Sequence, residues 1–210
     1  MIKPVERKVF IMHKTVETIA KSKTTNGQPS LHSVHISSEQ LVTTDRHVLI
    51  REQFKTPIDN LNGELTIDPN GVPLNVNYPD TDRLIPTDDN IRYHLNIEAG
   101  KWVDIIQVYK KNMYAAINIT DGIVTIAFGE SSDDLSGEFE IGKSDNEDLT
   151  IYFQPKFLKM IGDYGKEVIG RNFKDSYFEL EVVSRYEPAK VIFENDDITG
   201  TFLVTPLHVN

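Results

Sequence analysis

The sequence predicts an α+β fold in which a few short helices pack on one face of antiparallel sheets. Three observations carry that prediction. Only three segments repeat apolar residues at helical spacing. Many more segments are short, rich in β-branched and aromatic residues, and bounded by turn formers. The pattern of one helix followed by two or three strands starts near residues 10, 101 and 155, which suggests a duplicated supersecondary unit without a residue-level repeat.

The first helix is expected over Phe10–Lys21, where Met12, Val16, Ile19 and Ala20 fall on one side and Lys14, Glu17 and Lys21 on the other. Leu31–Ile36 and Leu41–Arg51 read as strands joined across the polar Ser37–Gln40 turn. Gly63–Ile67 and Val72–Asn77 read as a hairpin around Asp68-Pro69-Asn70-Gly71. Tyr78 to Asn90 is rich in Pro and Asp and has no period, so it reads as a linker with a domain boundary near residue 92.

Trp102, Ile105, Ile106 and Tyr109 then form one helical stripe flanked by Lys101, Lys110 and Lys111. Met113–Ile119 and Ile123–Phe128 flank the Asp121-Gly122 turn. Phe139 and Ile141 alternate with Glu138 and Glu140 as a half-exposed strand, and Leu149–Phe153 is another. A third helix is expected over Pro155–Tyr164, with Pro155 suited to its first turn and Gly165 to its end. Tyr177–Val183, Lys190–Glu194 and Gly200–Thr205 complete the strands.

A chain of 210 residues makes one large domain or two of about 100 residues. An apolar content of 39% excludes disorder, and the lack of cysteine excludes disulfides, thiolate zinc sites and Cys nucleophiles. No run reaches the ~20 apolar residues of a membrane span, and the N-terminus is charged where a signal peptide is apolar. The expectation is a soluble, cytoplasmic protein with no membrane partner. The net charge is -10, yet residues 1–23 sum to +4, and residues 101–111 and 154–175 to +2 each, leaving -18 elsewhere. Each basic stretch holds one expected helix. That layout gives an acidic protein one basic face.

Motifs of catalysis are missing. Gly137-Glu138-Phe139-Glu140-Ile141-Gly142-Lys143-Ser144 matches the phosphate-loop pattern letter for letter, but its interior alternates like a strand and an acidic turn follows it. A phosphate loop needs a helix N-terminus there, so an NTPase is not expected. The six histidines (His13, His32, His35, His47, His94 and His208) show no metal-ligand spacing on a helix. The acidic clusters lack the twelve-residue calcium-loop pattern, and no Gly-x-Ser-x-Gly elbow exists. No enzyme, no catalytic residue, no metal and no cofactor is expected.

Four collinear stretches point to a family. Leu41-Val-Thr-Thr-Asp-Arg-His-Val-Leu-Ile50 resembles a Val-Ala-Thr-Asp-Gly-His-Arg-Leu-Ala signature, and Tyr78-Pro-Asp-Thr-Asp-Arg-Leu-Ile-Pro86 resembles the linker Phe-Pro-Asp-Tyr-Arg-Arg-Val-Leu-Pro. Gly137–Leu158 is similar to a strand-turn-strand-helix unit, and Phe202-Leu-Val-Thr-Pro-Leu-His-Val209 to a closing Val-Val-Met-Pro-Met-Arg-Leu. All four belong to the bacterial DNA sliding clamp, the β subunit of DNA polymerase III. The resemblance implies two clamp-like domains, a shortened one over 1–91 like the family's middle domain and a complete one over 92–210 like its last.

It further implies a replication processivity factor that holds double-stranded DNA non-specifically through Lys14, Lys21, Lys101, Lys110, Lys111, Lys156 and Lys159. A hydrophobic pocket for short DNA polymerase peptides would be lined by Leu31, Thr44, His47, Leu49, Pro79, Arg83, Leu84, Leu203, Pro206 and Leu207. A clamp loader and a homotrimer are further implied partners, since the family's ring uses six domain-equivalents. The chain departs from the family in having room for two of three domains, in a Lys55–Asn77 interval too short for a second helix, and in Arg46 and Val48 at the signature's Gly and Arg. An alternative is a clamp-like adaptor that binds replication or repair proteins without encircling DNA.

Overall fold

The computed structural model describes residues 12–23, 27–59, 61 and 63–209. Three helices, α1 (Lys14–Ala20), α2 (Ala99–Tyr109) and α3 (Pro155–Ile169), accompany thirteen strands among those residues. In the first half these are β1 (Val34–Ile36), β2 (Gln40–Thr44), β3 (Val48–Phe54), β4 (Leu65–Ile67) and β5 (Pro73–Leu74). The second half adds β6 (Tyr93–Glu98), β7 (Tyr114–Thr120), β8 (Ile123–Ser131), β9 (Asp134–Lys143) and β10 (Leu149–Phe153), then β11 (Tyr177–Val182), β12 (Ala189–Glu194) and β13 (Ile198–Val204). All thirteen join one antiparallel sheet in the order β10-β7-β8-β9-β6-β11-β12-β13-β3-β2-β1-β4-β5. The α+β expectation holds.

The two halves meet where β13 pairs with β3 along its whole length. Alternation there sorts side chains to two faces. Phe202 sits opposite Ile50, and both are buried in the main core with Val16 and Ile19 of α1, Trp102 of α2 and Leu158 and Ile161 of α3. The next pair, Leu203 and Leu49, faces the other way and is covered by Tyr78 and Ile85 from the 78–92 segment. Helices therefore cover one face of the central sheet and the connecting segment covers the other. α3 packs against both α2 and α1, so the three helices form one layer across the two halves.

Local differences from the sequence reading have physical causes. The first helix runs from Lys14; its expected start at Phe10 lies outside the described residues. Leu41–Arg51 is two strands, not one, turning at Asp45-Arg46-His47. The Asp45 carboxylate accepts the N–H groups of His47 and Val48, each at 3.1 Å, and the Thr44 hydroxyl donates to the Val48 carbonyl at 2.7 Å. Side chains thus supply a turn that Gly or Pro would otherwise announce. The third helix passes Gly165 and ends at Gly170, whose φ is 79°. Gly165 is there because a Cβ would stand 2.4 Å from the Phe173 ring.

The phosphate-loop lettering is also explained. Residues 137–142 lie inside β9, and a Cβ on Gly142 would come within 2.0 Å of the Asn96 carbonyl on β6. The Ser144 hydroxyl donates to the His94 carbonyl at 2.8 Å, and β10 follows rather than a helix. Glycine and serine here serve a sheet corner, and no nucleotide cradle forms.

Candidate functional site

The lysines named from the sequence gather on the helical layer. Lys14 and Lys21 lie on and just after α1, Lys101 on α2 with Lys110 and Lys111 at its end, and Lys156 and Lys159 on α3. Lys14, Lys21, Lys101, Lys111 and Lys156 are exposed, and Lys110 and Lys159 half-buried. Three are tethered by carboxylates one turn away: Lys21 to Glu17 at 3.2 Å, Lys101 to Glu98 at 2.8 Å, and Lys159 to Asp163. Exposed pairs of this kind contribute only ~0.2–1 kcal/mol, so a phosphate can displace them.

Two further lysines join them. Lys166 on α3 and Lys174 just beyond it line a shallow cleft between α2 and α3 together with Lys159, Asp104 and Asp163, over the edge of Trp102. The cleft has a volume of about 210 Å³. Sequence reading passed over both because it ended the third helix at Tyr164, although both lie in the basic 154–175 stretch.

Of the ten residues named for a pocket, Leu49 and Leu203 face away from the helices at the β3–β13 junction. Both are 3% exposed and pack with Val42 beneath Tyr78 and Ile85. Thr44 opposes Leu49 on β2. Arg83 and Leu84 ride on a 3₁₀ turn, Asp82–Leu84, anchored by Arg51 to Asp82 at 3.4 Å, and Leu84 is 46% exposed. Pro79 is exposed in the same segment. His47 stacks on Phe157 with ring centroids 5.0 Å apart, while its carbonyl accepts the Thr205 N–H at 2.8 Å. Leu207 donates its N–H to the Tyr152 carbonyl at 2.7 Å, which fixes the segment holding the buried Pro206. Leu31 belongs to the turn after Gln28, whose amide oxygen accepts a hydrogen bond from the Arg46 guanidinium. Val42, Tyr78 and Ile85 pack with Leu49 and Leu203 and were missed from the sequence; Tyr78 and Ile85 were visible only as apolar residues inside a polar linker.

Electrostatics join the halves beneath the helices. Glu52 on β3 is 1% exposed and lies 2.6 Å from His13 Nδ1, and the His13 ring meets Tyr164 of α3 edge-on. Glu167 of α3 accepts the Thr15 N–H at 3.0 Å and the Thr15 hydroxyl at 3.1 Å. The hydrogen bond to Glu52 raises the His13 pKa above its ordinary value, against the opposing effect of burial. On the other face Lys190 is buried and reaches Glu181 at 2.8 Å and Asp88 at 3.2 Å, tying the connecting segment to the second half. Burial opposes its charge, and the two carboxylates outweigh that and raise its pKa.

The fold is that of DNA polymerase sliding clamps. The sliding clamp of Bacillus subtilis superposes on 98% of this chain, and the chain on 68% of it, with a TM-score of 0.71 at 16% identity. The Caulobacter crescentus polymerase III β subunit gives a TM-score of 0.74 over 93% of this chain and 62% of its own, at 13% identity. The Bartonella birtlesii clamp, solved bound to griselimycin, gives 0.67 over 92% and 64%, also at 13% identity. No family model matches the chain. In sequence, the β sliding clamp of Streptococcus pneumoniae serotype 4 is 32% identical over 142 residues, 65% of this chain. The match spans 35% of that relative's length. The fold is thus shared with the bacterial β sliding clamps, and the sequence is similar to theirs over the 142 matched residues.

Among the described residues no helix is long and apolar enough to cross a membrane.

Proposed function

We propose that this chain is a DNA sliding clamp, a non-enzymatic processivity factor built from a shortened clamp-like domain over 1–91 and a complete one over 92–210. Its lysine-bearing helices face a duplex, and copies join head to tail around it. The observation that carries the reading is the single layer of α1, α2 and α3, with lysines on its outer side and a continuous sheet behind. Lysine-to-phosphate contacts are independent of base sequence, so such a surface holds DNA while permitting sliding.

Assembly is supported by the strand edges. β9 pairs with β8 along most of its length, but β6 reaches only its Gly142 and Lys143, so the stretch from Asp134 to Ile141 offers an edge. Val108 and Met113, at 72% and 58% exposure, stand at the end of α2 whose Tyr109 touches Phe139 of that strand. The two end strands of the sheet, β10 and β5, offer further edges. Residues 130–148 sum to -7, so two copies presenting this stretch to each other would repel, which disfavours head-to-head contact. On the sheet side, the rim around Leu84 and Pro79 would receive a polymerase peptide's apolar side chains, with Arg83 and His47 as polar directors.

Light scattering tests the assembly. A mass of about 72 kDa, three times the 23.9 kDa chain, is the expected result. A monomer at micromolar concentration contradicts the ring and leaves the adaptor reading, in which the pocket acts alone. No helix lies among the described residues between Lys55 and Asn77, and that favours the second reading.

A further inference from the structure

Three potential metal ligands converge on the sheet face away from the helices. Glu179 and Glu181 are two apart on β11, so both side chains project to one side, and the strand register sets His94 of β6 directly opposite Glu181. The intervening Leu95, Ile97, Leu180 and Val182 are buried on the other side. One ligand atom from each of His94, Glu179 and Glu181 lies within 4.8 Å of the other two. His94 Nδ1 and Glu179 Oε1 are 3.3 Å apart.

Bonds of about 2.0–2.2 Å from zinc to imidazole and carboxylate put neighbouring ligands of a tetrahedron roughly 3.3–3.5 Å apart. The His94–Glu179 separation already has that span, and Glu181 needs a side-chain shift on the order of 1 Å to reach it. We propose that His94, Glu179 and Glu181 bind a divalent transition cation of the zinc class, with water completing its shell. One imidazole among two carboxylates selects such an ion over Mg²⁺ or Ca²⁺, which take oxygen ligands.

The support around the trio is rigid. The His94 N–H donates to Asn146 Oδ1 at 2.6 Å, and the His94 carbonyl accepts the Ser144 hydroxyl at 2.8 Å. Lys190 holds Glu181 from the side at 2.8 Å, an outer contact of the kind that orients ligating carboxylates. Its ammonium also repels a second cation, so the site binds modestly rather than with the affinity of a closed structural zinc centre. Strand backbones fix all three positions, which loops would not do as well.

Titration of the untagged full chain with ZnCl₂ by calorimetry, and with Co²⁺ by visible absorption, tests the assignment. One ion per chain is expected, with Co²⁺ bands of low coordination number that a tenfold excess of Mg²⁺ leaves unchanged. Separate His94→Gln and Glu179→Gln variants are expected to lose more than about tenfold in affinity. Both replaced side chains are half exposed, so apo melting curves matching the parent's will show that the fold is kept. Absence of binding up to millimolar metal overturns the proposal. So does unchanged affinity in His94→Gln, which would put the ion on other histidines.

Discussion

Glu52 illustrates what single residues decide. A carboxylate stripped of water needs a partner, and His13 supplies it across the base of α1. Because the folded-state pKa of His13 is raised, its contribution is complete below about pH 6.5 and is lost as pH rises through the higher folded value. Glu52, Glu167 and Tyr164 are the titratable groups packed around it. Urea unfolding at pH 6 and pH 9 is expected to show higher stability at pH 6. His13→Gln should shrink that difference and cost about 1–3 kcal/mol at the lower pH. An unchanged difference would assign the pH dependence elsewhere. Arg46 makes the converse case. It holds φ 78°, a conformation costing a non-glycine residue about 1–2 kcal/mol. Arg46→Gly is expected to leave stability equal or raise it by up to about 1 kcal/mol in thermal melts, since glycine's unfolded-state entropy offsets part of the relief. A drop would show that the guanidinium's bond to Gln28 outweighs backbone strain.

At the scale of elements, α2 was legible because Trp102, Ile105, Ile106 and Tyr109 announce one face, and Trp102 and Ile106 are indeed buried. Trp102 also donates its indole N–H to the Leu158 carbonyl at 3.2 Å, so Trp102→Ala should cost about 3–5 kcal/mol by denaturant titration. The turn at Asp45–His47 was not legible, since its hydrogen bonds come from Asp and Thr side chains that look ordinary in a strand. The end of α3 was misread for the opposite reason: Gly165 looks like a stop but marks a close approach to Phe173. The two readings differ in sign. Were Gly165 a free interior position, alanine would stabilise by up to about 1 kcal/mol; against the Phe173 ring it should destabilise by about 1–3 kcal/mol. Of the proposed pocket, Leu49 and Leu203 were recognisable by motif, yet their burial means that charge there would disrupt the fold. Leu84, 46% exposed, is the sound position for a test. If that face receives a polymerase peptide as proposed, Leu84→Glu should weaken its binding by about tenfold or more without moving the melting temperature.

Across the whole molecule, the basic helical layer was foreseeable from charge distribution, whereas the His94, Glu179 and Glu181 cluster was not, because strand register alone brings those residues together. If the helical layer faces DNA, Lys110→Glu with Lys111→Glu should flatten the slope of log affinity against log salt by about 2, near 0.9 for each phosphate no longer neutralised. An unchanged slope would remove those two residues from the interface.

Topology separates an enclosing protein from one that rests in a groove. With the protein loaded on a nicked circular plasmid and the circle then cut once, retention at high salt is expected on the circle and rapid loss after linearisation. Equal retention on both forms would contradict encirclement, whatever the helices touch.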